Sequence, residues 1–555
     1  MRANFSTVII NVNTSVKNNF IVPNFFINGL FKINEKTIID SNIEKFSNQD
    51  LKVYIVAERK YLKLLQNQLK TTNYWLIAKE EFDYQKLFVH PDSKILVIED
   101  SHYFLDSGLA YFMNNNNLQN TSCVVTVENA CETDYLPILT KDQLKYVDFF
   151  KNSLANSITS DTDIKWVVEK TPVVTKINSF NKLVNFDKSY LNDKKRMSFT
   201  PGPVFIRKEI NQMLSDYVNH HRSIGTKFIY QQTAENIKWA FNSKTGFPIA
   251  MLATGSVAIE SCLINLTSPG DNVLFLSNGF FGDNIIRISK RYDLNATYYQ
   301  LEKGQEFNLK EIERLVIGKK SVFVVHMDTS YGIVNPIKEL GEICHKHNVM
   351  LVVDCISSVL NEHLDFDDFN ISAAVGTSAK GFETTPGLSF ICVSQKAMEF
   401  ARNNPRQKPY YLDWQTFELK HISNGLTPST YPVTIFAAVN ASCEFVKNYK
   451  SIEKAIESKK HLMDILLSEL TKLGFTPFIE NEQSRSNWVC VVKTPQNIKA
   501  SILRMYMYVL FDTIIECGIS DETDSILRIG ISFAHKEVDI LKLIKNISLL
   551  FEFFE

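Results

Sequence analysis

Along the chain, short apolar runs alternate with segments whose apolar positions recur every three to four residues, the mark of strands and helices taking turns. From residue 1 to about 155 the pattern predicts strands at 7–13, 52–57, 95–98 and 122–127, with helices at 37–45 and 60–69. Such alternation favours a mostly parallel sheet covered on both faces, so the stretch reads as a small α/β domain. The polar, irregular segment 156–196 holds a short strand after Asp161 and Asp163, ends in the charged run Asp193-Lys194-Lys195-Arg196 and reads as a linker. From 250 onward the alternation becomes regular. Strands are expected at 272–276, 296–299, 321–326, 350–354, 371–376 and 388–393, separated by helices at 283–292, 309–315 and 337–347. A helix at 432–448 leads into helix 451–472, strand 495–499, helix 500–511, strand 526–531 and helix 535–549. The domain boundaries that follow are 1–155, a linker to 196, a large α/β domain at 197–450 and a small C-terminal α/β lobe at 451–555.

Composition narrows the function. With 60 Lys plus Arg against 61 Asp plus Glu, the chain has no positive field to gather a phosphate backbone, so nucleic acid is not an expected partner. No window approaches 18 consecutive apolar residues and the start lacks a secretory pattern, which together point to a cytoplasmic protein with no membrane partner. The nine cysteines have neither zinc-site spacing nor disulfide density, and no metal site is expected.

The chemistry gathers at strand ends. In Val352-Val353-Asp354-Cys355-Ile356 an aspartate closes a buried strand, where open α/β sheets hold their ligands. Taken alone, Asp354 better suits a helix cap or a loop hydrogen-bond acceptor; a protonated pyridine nitrogen would satisfy it and be kept protonated by it. Lys380, in Thr377-Ser378-Ala379-Lys380-Gly381, follows another apolar strand by four residues, and partial burial there would lower its pKa. Thr254-Gly255-Ser256 opens a helix, so free backbone N–H groups and two hydroxyls can face one dianion; an ordinary N-cap is the plainer reading. Phe281 and Ile356 could pack on the two faces of a flat ring, and Thr329 could bond a phenolic oxygen. Arg528 interrupts the apolar strand Ile526-Leu527-Arg528-Ile529 and is a carboxylate or phosphonate grip; Arg222, in His220-His221-Arg222-Ser223, is a second anion candidate.

These segments, in this order, resemble the class V, fold-type I pyridoxal-phosphate (PLP) aminotransferases, most of all 2-aminoethylphosphonate:pyruvate transaminase and, beside it, alanine:glyoxylate transaminase. The likeness runs from Phe199-Thr200-Pro201-Gly202-Pro203 through the turn 326–332 and Lys380-Gly381-Phe382-Glu383-Thr384-Thr385-Pro386-Gly387 to Thr427-Pro428-Ser429-Thr430-Tyr431 and Arg528. It implies pyridoxal 5'-phosphate as cofactor, held by Lys380 as a Schiff base. Asp354 would sit on the pyridinium, and Thr254, Gly255, Ser256, Phe281, Thr329, Ile356, Ser378 and Thr430 would complete the cofactor site. Arg528 and Arg222 would bind substrate. It further implies a homodimer with shared active sites, Thr430 reaching across to the partner, and transfer of an amino group from a small amino donor to an oxoacid acceptor. The leading expectation is 2-aminoethylphosphonate or a related phosphonate with pyruvate. The alternatives are an alanine/serine:glyoxylate-type transaminase or a PLP-dependent lyase on the same fold. The first 155 residues are similar to nucleotidyltransferases, but Ile10-Asn11-Val12-Asn13-Thr14-Ser15-Val16 replaces the glycine-rich loop that would close on phosphates, so a degenerate domain is expected.

Overall fold

A computed structural model describes residues 196–216, 220–496, 498–519 and 522–554 and, before them, ten strands between Thr7 and Lys176. The chain divides into two units, one of residues 1–196 with 506–512 and 547–555, the other of residues 197–505 with 513–546. The lobe expected over 451–555 is therefore shared between the units. Within the first unit the Arg196 guanidinium lies 4.0 Å from the centre of the Tyr508 ring, and Tyr506 and Leu510 are buried.

In the first unit six strands form a sheet in the order Trp75–Ala78, Lys52–Ala57, Thr7–Asn11, Lys94–Glu99, Cys123–Thr126, Lys165–Trp166, every pair parallel. The first strand of the chain lies inside the sheet and later strands add outward on each side. The expected strands are present, and the unexpected Trp75–Ala78 joins them. Two corrections concern neighbouring segments. The short strand expected after Asp163 is Lys165–Trp166, which continues the sheet, and the unexpected Val174–Lys176 pairs with His102–Phe104, so the stretch read as linker supplies strands from its Trp and Val residues. Thr37, expected to open a helix, lies in the strand Lys36–Thr37; the rest of that segment and the helix at 60–69 lie outside the described residues.

The second unit is built on a seven-stranded sheet. Its order is Phe247–Met251, Ser389–Val393, Ala373–Thr377, Met350–Asp354, Ser321–Val325, Asn272–Ser277, Asn295–Gln300, and Ser389–Val393 alone runs against its neighbours. Side chains alternate between two cores because the pleat has period two. Val322, Val324, Leu351 and Val353 join one, while Phe323, Val325, Met350 and Val352 join the other. Burial on both faces explains why these strands read as unbroken apolar runs.

Beyond the helices Val433–Lys447 and Ile452–Lys472 lies a four-stranded antiparallel sheet, Thr476–Pro477, Val489–Lys493, Ile526–Gly530, Glu516–Cys517. Its second strand precedes the expected 495–499, because Pro495 cannot donate to a ladder and the apolar run ends before it. Among the described residues no helix is long and apolar enough to cross a membrane, and no group of three or more His, Cys, Asp or Glu side chains could hold a metal.

The Phe275 and Phe323 rings stack across neighbouring strands at 5.2 Å in the second core, with Phe323 1% exposed. Phe323→Ala should therefore destabilise the second unit by about 3–5 kcal/mol in chemical denaturation, whereas Phe323→Leu should lose about half as much. Equal effects would show that the ring is not packed as described.

Candidate active site

Three loops leave the same edge of the large sheet. Met350–Asp354 is flanked in parallel by Ser321–Val325 and Ala373–Thr377, with Asp354 paired in register to Val325 on one side and Val375 on the other. Its carboxylate thus emerges at the strand tips, in the crevice where parallel sheets present ligand groups. Lys380 arrives from the neighbouring tip, three residues past Thr377. The helix Gly255–Leu266 begins just after the edge strand Phe247–Met251. All three meet at one cavity of about 220 Å³, lined by Asp354, Lys380, Thr254, Gly255, Ser256, Phe281 and Ile356 among others.

The two ionisable groups are held in opposite tension. Burial pushes the Asp354 carboxyl up to about 7, assisted by nearby Asp328; the Ile356 N–H, donating to Oδ1 at 2.9 Å, and Lys380 pull it back. Burial likewise brings the Lys380 amine down to about 8; Arg528 pushes the same way, and Asp354 and Asp328 oppose it. Lys380 Nζ donates to the Pro201 carbonyl at 2.8 Å. A Cβ on Gly202 would stand 2.3 Å from that Nζ, so the opening loop can lie this close to the lysine only with glycine there.

The helix start is arranged as a cradle. Thr254 is the N-cap by its extended backbone, yet its hydroxyl makes no capping bond and the first N–H groups of the helix are left to another partner. A Cβ on Gly255 would meet Ile356 Cδ1 at 2.3 Å, so glycine permits the helix start to close against the cavity wall. Phe281, in the first turn of Phe280–Ser289, is fixed by its N–H donating to Asp328 Oδ2 at 2.9 Å. Asp328 also accepts from the Ser330 N–H at 3.0 Å and from the Ser330 hydroxyl, so a buried carboxylate sets the place of the Phe281 helix. Sequence reading passed over Asp328 although it stands beside Thr329; its signal was an acid in an otherwise buried turn.

The remaining expected residues lie elsewhere. Thr329 is buried and does not line the cavity, but its hydroxyl has no partner. Ser378 is also away from the wall; its hydroxyl donates to the Thr385 carbonyl at 2.7 Å and accepts from the Leu388 N–H at 3.3 Å, holding the loop after Lys380. Arg528 is half-buried, donates to the carbonyls of Cys517 at 2.7 Å and Thr329 at 3.3 Å, and makes no ion pair among the described residues. Thr430 and Arg222 are exposed, and neither lines the cavity. Asn284, Ser357 and Thr377 do line it and were not expected.

A pyridine ring, a phosphate and an aldehyde fit this set: a buried acid without a cation bonded to it, a helix start with free N–H groups and a neutralisable amine. Comparison with known proteins agrees. The family model described as aminotransferase class-V matches residues 206–507. An uncharacterized aminotransferase of Methanocaldococcus jannaschii is 28% identical over 339 residues, 60% of this chain and 87% of that protein. The alanine–glyoxylate aminotransferase of Oryctolagus cuniculus is 26% identical over 312 residues, 55% of this chain and 79% of that one. Among solved structures, the ureidoglycine–glyoxylate aminotransferase of Bacillus subtilis superposes with a TM-score of 0.61 at 23% identity, over 64% of this chain and 92% of its own.

The raised Asp354 carboxyl has a measurable sign. The unfolded chain ionises this group near pH 4 and the folded protein near 7, so the fold binds more protons between those values and loses stability as pH rises through them. In cofactor-free protein, Asp354→Asn should raise the thermal midpoint at pH 8 by several degrees and leave it unchanged near pH 4. The gain corresponds to roughly 4 kcal/mol at most. Equal midpoints at pH 8 would mean that the carboxyl is not strained by burial.

Proposed function

The chain belongs to the class V aminotransferase family, and on that premise we propose that it transfers the amino group of a small amino acid to a short oxoacid, with pyridoxal 5'-phosphate bound between Asp354 and Lys380. The observation that carries this reading is the single cavity shared by the two. Lys380 tethers the cofactor, Asp354 holds its pyridine nitrogen, and Thr254, Gly255 and Ser256 take its phosphate. Phe281 and Ile356 flank the ring. When bound, the cofactor supplies the electron sink that lets a Cα–H bond break. With its amine brought down to about 8, Lys380 is partly uncharged near neutral pH and can take that proton at Nζ and return it. Arg528, with no carboxylate paired to it, orients the substrate carboxylate.

For the donor we favour alanine or serine with a glyoxylate-like acceptor over the phosphonate expected from sequence. An alanine–glyoxylate enzyme stands among the relatives. A lyase reading has no observation of its own. For the first unit we retain a degenerate nucleotidyltransferase-like domain with a structural or regulatory role, since residues 10–16 have no glycine.

We assign the working form as a homodimer. Ile224 and Phe228, one turn apart on the helix Ile224–Ala240, are 77% and 66% exposed, and Leu252 and Leu426 are also exposed. Gly425 packs on Lys227, which brings Leu426 beside that helix. A second copy covering this face would bring an exposed Thr430 towards the phosphate cradle.

Lys380→Ala should abolish the near-visible absorbance of the bound cofactor and all turnover; a variant retaining both would refute the role of Lys380. In a screen read by that absorbance, alanine or serine alone should bleach it and glyoxylate should restore it. Bleaching only by 2-aminoethylphosphonate would return the substrate to the phosphonate class. Phe228→Lys should shift the protein towards monomer in light scattering and weaken cofactor retention at least about tenfold; an unchanged mass would remove this face from the interface.

A further inference from the structure

Glu383 stands at the end of the turn that carries Lys380, its N–H donating to the Lys380 carbonyl at 2.9 Å. Its backbone is left-handed, with φ +49°, a conformation that glycine or asparagine adopts with less strain. Its side chain is what this position supplies. The carboxylate is 1% exposed and accepts three donors from distant parts of the chain. Arg207 Nη1 reaches Oε2 at 3.1 Å, and Lys459 Nζ and the Phe533 N–H reach Oε1 at 3.0 and 2.7 Å.

Each partner is itself fixed. Arg207 donates from Nη2 to the Ser442 hydroxyl at 3.0 Å and lies 3.9 Å from the centre of the Phe445 ring. Lys459 donates to Asn361 Oδ1 at 2.6 Å and lies 3.5 Å from the centre of the Phe533 ring. Arg207 follows the opening loop that bonds Lys380, Lys459 belongs to the helix Ile452–Lys472, and Phe533 follows the strand that holds Arg528. Asn361 ends the segment that begins at Asp354.

We propose that Glu383 is a positioning residue for Lys380: its buried carboxylate ties the lysine turn to the opening loop, to the small-lobe helix and to the strand of Arg528. The amine is thereby placed from four segments together, and a shift in any of them is felt at Nζ. Burial of two cations around one carboxylate makes the arrangement intolerant of losing the charge, because Arg207 and Lys459 would then be left without a counter-ion. Glu383 acts by geometry and does not touch substrate or cofactor.

This inference rests on Lys380 being the lysine that receives the cofactor, and the two can fail separately. Full-length protein is incubated with pyridoxal phosphate, treated with borohydride over a time course, and the mass of the Lys380 peptide gives the rate of trapping. Absence of trapping at Lys380 in the unaltered chain would overturn the site assignment itself. Given trapping there, Glu383→Gln should slow it by at least about tenfold and lower kcat by a similar factor, with KM for the acceptor changing less than about threefold. A role in stability alone would lower the melting temperature and leave the trapping rate of the folded fraction unchanged; that result would overturn the proposal. Should Glu383→Gln fail to fold, Lys459→Met and Lys459→Arg decide: slowed trapping in the first with recovery in the second supports the tie, and unaltered trapping in both removes it.

Discussion

The second unit depends on the exclusion of water from ionisable groups that have been given only part of what they need. Asp354 retains one backbone N–H and Lys380 one backbone carbonyl, and neither is bonded to the other. Buried charges so poorly satisfied normally neutralise, and both pKa values have moved that way. The discomfort is specific: an acid near neutrality and an amine near neutrality, facing one small cavity, are groups that a basic ring nitrogen and an aldehyde would relieve. Stability is given up locally where binding can restore it, as is common at ligand sites.

That concession is possible because the surrounding frame is rigid. Strands that feed apolar side chains alternately into two cores fix the three tips from which the site is built. Around them two buried acids are generously satisfied. Asp328 accepts several donors at the start of the Phe281 helix, and Glu383 accepts three behind the lysine. Well-bonded acids therefore stand next to a poorly bonded one, and the contrast separates groups that hold the site in place from groups left open to a ligand.

Much of this was legible from the sequence, for local reasons. Asp354 and Lys380 each follow an apolar run that stops abruptly, and Thr254-Gly255-Ser256 precedes a helical period; a strand tip and a helix start are properties of short windows. What escaped was non-local. Nothing near Glu383 announces that residues 207, 459 and 533 converge on it, since such pairing is decided by packing. Ser378 was placed among the cofactor contacts because it adjoins the lysine, yet its hydroxyl is engaged by its own loop. The strand Val489–Lys493 was set too late because Pro495, which follows it, was taken as the strand's start, and the short β-prone run at 174–176 was hidden in a polar stretch. Fold class follows from period; mutual arrangement does not.

The contact between Lys380 and the Pro201 carbonyl has one more implication. Its acceptor is main chain, present whatever residue occupies position 201, so no side-chain replacement within the opening loop can delete it. Sequence drift in the opening loop can alter this interaction only by moving the loop as a body. Gly202, pressed against the amine, is the place where such movement would begin, so divergence there would retune the resting lysine without touching any group that does chemistry.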